Sequence, residues 1–388
     1  DGGRSLLRSA AMTASLSDAL DRLPADIQER LQRYAFDRPR FLGLAQRVAG
    51  GSADQNRVHG QVDPPSPGDV LDLPPAGSAD RKRLEQIGLE ALAQGQCALV
   101  VLAGGMATRM GGVVKALVEA VPGHSFLDLR LAELAHIERL TGRAPPFWLM
   151  TSDGTEAPTR AALGARLDTG QIATFTQHLS LRLEPDGSLF LDTAGRPSLH
   201  SSGHGDLPDA LRASGLIGRF VESGGRVVTM ANIDNLGGTL DPVLIGWHLD
   251  HGKPVSCEVV DKEPSDRGGI PVRWNGRAVV LEEFRLPEGF DPTTVPVFNT
   301  NTFHFSARAL LELAMDWTFF VAHKKVDASP VIQFERLIGE VTSHLDTRFV
   351  RLPRDGANSR FLPVKDNDEL ARQRSAIELV ARARGMLP

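Results

Sequence analysis

No stretch of 18 apolar residues occurs in this chain, so no segment of it reads as a membrane-spanning helix. A basic excess is missing too. The 43 Lys and Arg stand against 48 Asp and Glu, a formal net charge of -5, which offers no global field to recruit nucleic acid. Cysteine is nearly absent: Cys97 and Cys257 sit in apolar, strand-like runs, and so low a count suits a reducing cytoplasm. The first residues hold no apolar core long enough for a signal peptide, and no internal repeat is visible. Absent as well are the Gly-Lys-Ser/Thr of a Walker A loop and the G-x-G-x-x-G dinucleotide fingerprint. No credible Ser/His/Asp or Cys/His set for nucleophilic catalysis is found. What remains is a 388-residue chain, 41% apolar, long enough for two or three domains or one large α/β domain with additions.

Residues 15–49 read as helical, with Ser17 and Asp18 as candidate caps and Leu20, Leu23, Ile27, Leu31 and Tyr34 at three- to four-residue spacing. Residues 50–80, rich in Gly, Pro and Asp, read as a linker or a long strap. A helix at about 80–94 leads into a strand at 97–103. Further strands are expected at 147–151, 171–176, 226–231, 255–260, 278–282, 297–305 and 347–352. Helices are expected at 125–140, 156–167, 207–219, 240–251, 306–315 and 332–343, and a last one begins at a capping-box-like Asp366/Glu369 and stops near Gly385. This alternation argues for a mostly parallel sheet wrapped by helices, mixed around 255–305.

In such a sheet ligands bind outside the carboxyl ends of the strands. The strand end "VVLAGGMATRMGG" (Val100–Gly112) offers bare backbone at Gly104 and Gly105, with Thr108, Arg109 and Lys115 following. Glycine there can serve a tight turn alone, but exposed amides beside cations suit phosphate oxygens. "RVVTMA" (Arg226–Ala231) ends in "NIDNLGG", where Asn232, Asp234 and Asn235 either make a turn or place a carboxylate to hold Mg²⁺ against phosphates. "HSSGHGDLPDALRASG" (His200–Gly215) leaves amides open ahead of a helix that Asp206 caps. His200 and His204 are four apart, but Gly203 interrupts any helix and no third ligand lies nearby, which argues against zinc. In "FNTNTFHF" (Phe298–Phe305) strand alternation puts Asn299 and Asn301 on one face, and amides there suit sugar hydroxyls. "SRFLPVKDNDEL" sets Lys365 between apolar anchors and a helix cap; alone it would read as a solvated surface charge.

Taken together these motifs resemble the UTP–glucose-1-phosphate uridylyltransferase family of the eukaryotic type, from about Cys97 to Leu370. The pieces are "LAGGMATRMG" with Lys115, "FLDL" (Phe126–Leu129), "TFTQH" (Thr174–His178), "GHGD" (Gly203–Asp206), "NIDNLG" (Asn232–Gly237), "CEVVDK" (Cys257–Lys262), "FNTN" (Phe298–Asn301) and "SRFLPVK" (Ser359–Lys365). The resemblance implies a Rossmann-like nucleotidyltransferase fold with an N-terminal helical extension. It divides the chain into 1–95 (extension and linker), 96–365 (catalytic domain) and 366–388 (C-terminal helix).

The implied reaction joins an NTP to a sugar 1-phosphate, giving an NDP-sugar and pyrophosphate. Carried over position by position, Leu102, Ala103, Gly104 and Gly105 bind the nucleotide, and the catalytic cations Arg109 and Lys115 grip its triphosphate. Gln177 and the Gly203 backbone read the base, and Asp234 holds Mg²⁺. His204, Asn232, Glu282, Asn299 and Asn301 meet the sugar, and Lys365 sits on the phosphates near the reaction centre. Ala107 stands where the family's loop has glycine, Arg109 is closer to the loop of UDP-N-acetylhexosamine and bacterial sugar-nucleotide pyrophosphorylases, and Ile233 and "FNTNTF" alter the sugar side. The resemblance implies UTP and glucose 1-phosphate as substrates; these departures leave nucleotidyl transfer standing and open the alternative of a cyclitol phosphate such as valienol 1-phosphate, with GTP as a candidate nucleotide. A sugar-nucleotide-binding pseudoenzyme is a third reading, opposed by the presence of Arg109, Lys115, Lys365 and Asp234. A glycosyltransferase would show Asp-x-Asp where this chain has Asn-Ile-Asp-Asn. The family's C-terminal β-helix has no counterpart after Lys365, so a monomer or small homo-oligomer is expected, cytoplasmic, without nucleic-acid or membrane partners.

Overall fold

Cys97–Leu102 is buried along its whole length, as an apolar run of this kind must be when both faces of its sheet are covered. Val227–Asn232 runs parallel on one side of it, in register from Val227 with Cys97 to Asn232 with Leu102, and Phe147–Thr151 runs parallel on the other. The structure, a computed structural model, describes residues 15–49, 56–107 and 110–388. Thr108 and Arg109, expected to complete the glycine loop, lie outside the described residues.

Eight strands form the main sheet, in the order Val70–Asp72, Thr347–Arg351, Val255–Asp261, Val297–Ser306, Val227–Asn232, Cys97–Leu102, Phe147–Thr151, Ile172–Thr176. Val297–Ser306 runs antiparallel to both its neighbours. The mixed, mostly parallel α/β sheet flanked by helices is thus the observed fold. Its carboxyl edge gathers Gly104 after Leu102, Ser152 after Thr151 and Asp234 after Asn232, and the reversed strand brings its amino half, with Asn299 and Asn301, to the same edge.

By contact the chain forms two compact units: a smaller one of residues up to 58, 176–207 and 316–338, and a larger one of 59–175, 208–315 and 339–388. In the smaller unit Leu16, Leu20, Leu23, Ile27, Leu31 and Tyr34 share a core with Leu179, Leu181, Leu183, Ile332 and Phe334. That helical stretch is three helices: 15–21, Ala25–Arg33 and Arg38–Ala49. Pro24 stands at the N-cap of the second, and Ser17 and Asp18 lie inside the first rather than capping it. In the larger unit the strap after residue 56 is woven into sheets: Val62–Asp63 pairs with Gly269–Trp274, and Val70–Asp72 pairs with Thr347–Arg351.

Two expected helices differ. Gly215, at φ +72°, divides 207–219 into Leu207–Ala213 and Leu216–Glu222. Residues 332–343 hold the end of a hairpin, Phe320–Val326 with Ser329–Glu335, followed by a 3₁₀ turn, Ile338–Ser343. The hairpin turns through Asp327 and Ala328, both at positive φ, so it lacks the Asn-Gly or Asp-Gly signal that marks such turns in a sequence.

Helices Ala79–Ala93 and Pro242–His251 pack through two glycines. A Cβ on Gly88 would stand 1.8 Å from the Pro242 carbonyl oxygen, and one on Gly246 would stand 1.8 Å from that of Leu84. In an open helix Gly→Ala stabilises by about 0.5–1 kcal/mol. Here the backbones must separate, and Gly246→Ala should instead destabilise by roughly 1–3 kcal/mol. Urea denaturation decides it; unchanged or raised stability would show that the helices do not meet at these residues.

Candidate active site

Beyond Leu102 the chain leaves the sheet and folds into a short hairpin, Met106–Ala107 against Val113–Val114. The Gly104 carbonyl accepts from Ser152 Oγ at 2.8 Å and the Gly105 carbonyl from the Lys115 N–H at 3.2 Å. The N–H groups of Gly104 and Gly105 find no acceptor among the described residues. A Cβ on Gly105 would meet nothing within 4 Å. Neither packing nor a positive φ requires glycine there, so the loop presents bare backbone to open space beside Lys115.

Lys115 Nζ lies 2.7 Å from Asp234 Oδ2, and the Val364 N–H donates to the same oxygen at 3.1 Å. Asp234 Oδ1 has no partner among the described residues. Asp234 is fixed by its loop. The buried Arg130 guanidinium donates to the carbonyls of Asn232 (3.1 Å), Asn235 (2.6 Å) and Gly238 (2.9 Å) and to Glu133 Oε2 (2.8 Å). Glu133 Oε1 accepts the Leu240 N–H at 2.9 Å. From the far side Arg360 donates to Thr239 Oγ1 and its carbonyl, at 2.8 and 3.2 Å, and to Glu258 at 2.8 and 2.5 Å. The Asn235 amide accepts from the Leu362 N–H and donates to the Arg360 carbonyl, which ties "SRFLPVK" to the Asp234 loop. Val364 is fully buried and Leu362 nearly so, while the Lys365 side chain is exposed on this pinned backbone.

Asn299 and Asn301 do not meet by simple alternation. Cys257 pairs with Phe303 and Val259 with Asn299, so three residues bulge opposite Glu258 alone. Asn301 sits in the left-handed region at φ +57°, which asparagine tolerates better than most side chains. Its N–H donates to Asn299 Oδ1 at 2.9 Å and its side chain to Asn232 Oδ1 at 3.1 Å. Glu282 closes this side: a Cβ on Gly269 would stand 3.0 Å from Glu282 Oε1 and 3.2 Å from Asn299 Nδ2. The larger unit therefore brings together Lys115, Asp234 and the backbone before Lys365, and separately Asn232, Asn299, Asn301 and Glu282, with Asn232 two residues before Asp234.

Gln177, Gly203 and His204 belong to the smaller unit. Gln177 is 9% exposed, and its amide has no hydrogen bond among the described residues. Gly203 has φ +102°, and a Cβ on it would stand 2.6 Å from the Arg336 carbonyl oxygen. His204 Nδ1 accepts the Ile338 N–H at 3.0 Å, and burial holds its pKa down to about 4, so the ring is neutral and carries its proton on Nε2. Asp206, expected as a helix cap, is fully buried. It accepts from the His178 N–H, Ser202 Oγ and Arg336 Nε, the last at 2.6 Å.

Arg130, Glu133, Glu258, Arg360 and Arg336 are positioning residues that reading the sequence does not find. Each looks like an ordinary surface charge, and the one hint is charge embedded in apolar runs, as in "FLDLRL".

The UTP–glucose-1-phosphate uridylyltransferase family model matches residues 40–383. The chain belongs to that family. It is 28% identical over 379 residues to UTP–glucose-1-phosphate uridylyltransferase of Astragalus penduliflorus, across 92% of this chain and 78% of the relative. In fold it is similar to the UDP-glucose phosphorylase of Trypanosoma brucei, with TM-score 0.73, 23% identity and coverage of 89% and 77%. It is also similar in fold to a mutant UDP-glucose pyrophosphorylase of Leishmania major in complex with UDP-glucose, with TM-score 0.68, 22% identity and coverage of 93% and 78%. The protein is accordingly a sugar-1-phosphate nucleotidyltransferase.

Burial, reinforced by Glu340 and Glu283 and opposed by Arg285, pushes the Glu282 carboxyl from its ordinary 4.5 up to about 7. Between those values the folded protein holds a proton that the unfolded chain has released. The stability this proton gives is full below 4.5 and is lost as pH rises through about 7. Glu282→Gln should remove that dependence, so the wild-type Tm should fall relative to the variant as pH rises through this window. Parallel Tm profiles would show that Glu282 titrates normally.

Proposed function

We propose that the protein makes a UDP-sugar and pyrophosphate from UTP and glucose 1-phosphate by Mg²⁺-dependent in-line attack. The observation that carries this reading is the glycine loop: two backbone N–H donors, at Gly104 and Gly105, without an acceptor among the described residues, next to Lys115, beyond the carboxyl end of a buried parallel strand. Such a nest suits phosphate oxygens.

Attack of a sugar phosphate oxygen on the α-phosphorus brings two anions together, so catalysis is mostly positioning and charge neutralisation. Lys115, and in this reading Arg109, neutralise the triphosphate. Lys365, held from a fixed backbone, offsets charge as the bond to pyrophosphate breaks. Asn232, Asn299 and Asn301 supply amide donors and acceptors, and Glu282 a carboxyl, to sugar hydroxyls. In this reading Gln177, buried and without an amide hydrogen bond among the described residues, and Gly203 serve the base, and His204, with its proton on Nε2, serves the sugar. Asp234 fits Mg²⁺: one carboxylate oxygen has no partner among the described residues, and this ion takes one or two carboxylates with substrate phosphates and water filling the rest. When bound it would add charge neutralisation between phosphate groups.

Pyrophosphate release, run over four NTPs and a panel of sugar and cyclitol phosphates, tests the proposal. UTP with glucose 1-phosphate should turn over fastest and need Mg²⁺. A preference for GTP with a cyclitol phosphate would move the protein to natural-product chemistry, and no release from any pair would make it a binding protein. Asp234→Asn should stay folded and lose most turnover. Lys365→Ala should cost roughly 10²–10³ in kcat, the scale of one positioned transition-state donor, with less effect on KM. Lys365→Arg should recover little, because a planar fork does not replace a compact charge. Near-normal kcat in Lys365→Ala would return this residue to the solvated surface.

A further inference from the structure

The opposite edge of the sheet holds a second place suited to an anion. Asp234 follows the carboxyl end of Val227–Asn232; Arg226 precedes its amino end. There a cavity of about 400 Å³ is lined by Arg226, Lys253, Arg308 and His248, and no carboxylate among the described residues lines it. Each cation also has one partner at its side: Arg226 with Gln96 at 3.3 Å, Lys253 with Asp346 at 3.1 Å, Arg308 with Glu312 at 3.4 Å. Contacts of this exposed kind contribute little and leave donors to spare.

The floor is more specific. His248 is 3% exposed, and its hydrogen-bond partner among the described residues is the Ser256 hydroxyl. A chain of hydrogen bonds sets its proton. The Lys253 N–H donates to His251 Nδ1 at 3.0 Å. His251 Nε2 and His248 Nδ1 both lie on Ser256 Oγ, at 3.0 and 2.7 Å. Burial, with neighbouring positive charge, lowers the pKa of His251 to about 4 and holds that of His248 well below its ordinary value, so both rings are neutral. With its Nδ1 accepting, His251 carries its proton on Nε2 and donates to Ser256. The one hydrogen of the Ser256 hydroxyl then goes to His248 Nδ1, which leaves the His248 proton on Nε2. That N–H has no acceptor among the described residues. His248 lines the cavity, and an oxyanion there can accept this N–H alongside the three cations.

We propose that this cavity is a second oxyanion site, for a small phosphate-bearing molecule, formed by Arg226, Lys253 and Arg308 with the His248 Nε2–H as the donor at its floor. The site is independent of the reaction proposed above and lies at the other end of the same strand.

Histidine ¹⁵N NMR on the full chain, titrated with inorganic phosphate, tests it, with His248→Gln assigning the resonance. His248 should be the Nε2–H tautomer, and phosphate should shift its Nε2 signal saturably. Lys115→Ala should leave that shift in place, since it disturbs only the glycine-loop edge. Arg226→Ala/Arg308→Ala, at two exposed positions, should keep the remaining histidine signals and weaken the shift at least about tenfold, the scale of one charge-assisted hydrogen bond. An Nδ1–H tautomer at His248 would overturn the proposal, and so would a signal indifferent to phosphate. A shift abolished by Lys115→Ala but kept in the double variant would place the phosphate at the glycine loop instead.

Discussion

The Asp234 loop is held by two guanidinium groups that never reach the surface. Arg130 takes the carbonyls of Asn232, Asn235 and Gly238 from one side; Arg360 takes Thr239 and Glu258 from the other. A loop leaving a buried strand carries backbone oxygens into a place without water, and each unpaired one costs about 1–3 kcal/mol. Planar five-donor side chains answer several at once, which lysine cannot do. Gly237 and Gly238 complete the arrangement, because a Cβ at either would run into the Ser359–Arg360 backbone or the Thr302 hydroxyl.

Buried ion pairs are often replaceable by apolar residues at little or no cost. Here that substitution would fail for a reason visible in the contacts. Arg130 holds three backbone carbonyls and Arg360 a fourth, and backbone carbonyls cannot be mutated away. Glu133 and Glu258 balance the charge, and Glu258 spends its other bond on His304, which itself meets Thr229 on the neighbouring strand. The network therefore runs from the Asp234 loop across the sheet.

Much of this fold can be read in the sequence, and the reason is physical. Buried parallel strands write themselves as continuous apolar runs, so Cys97–Leu102, Phe147–Thr151 and Val227–Asn232 are legible to within a residue. Their polar endings mark the edge where Asp234 and the glycine loop stand. Elements set by distant contacts are not legible. The hairpin ending at Glu335 has a turn without a glycine, and its apolar run reads as a helix. The smaller unit joins three separated pieces of chain, which no local pattern announces. The positioning charges are hidden in the same way: Arg130 sits on a helix that begins with an ordinary Ser125/Asp128 capping box, and nothing nearby says that its side chain points inward.

The bulge on Val297–Ser306 shows where pattern reading stops. Alternation puts Asn299 and Asn301 on one face, and the two amides do work together, but through a different geometry. Inserting residues opposite Glu258 breaks the ladder, tips Asn301 into the left-handed region, and lets its amide reach Asn232 on the adjacent strand. The Asn299 oxygen then holds the Asn301 N–H, with the Cys257 thiol donating to the same oxygen at 3.3 Å. Strain at Asn301 is thus held by bonds on both sides of it. A regular strand would have kept Asn301 extended in the ladder; the irregular one directs its side chain toward Asn232, two residues from Asp234. That step links the polar cluster at the strand's end to the carboxylate loop, and it depends on Arg130 holding the Asn232 carbonyl while the Asn232 side chain stays free to meet Asn301.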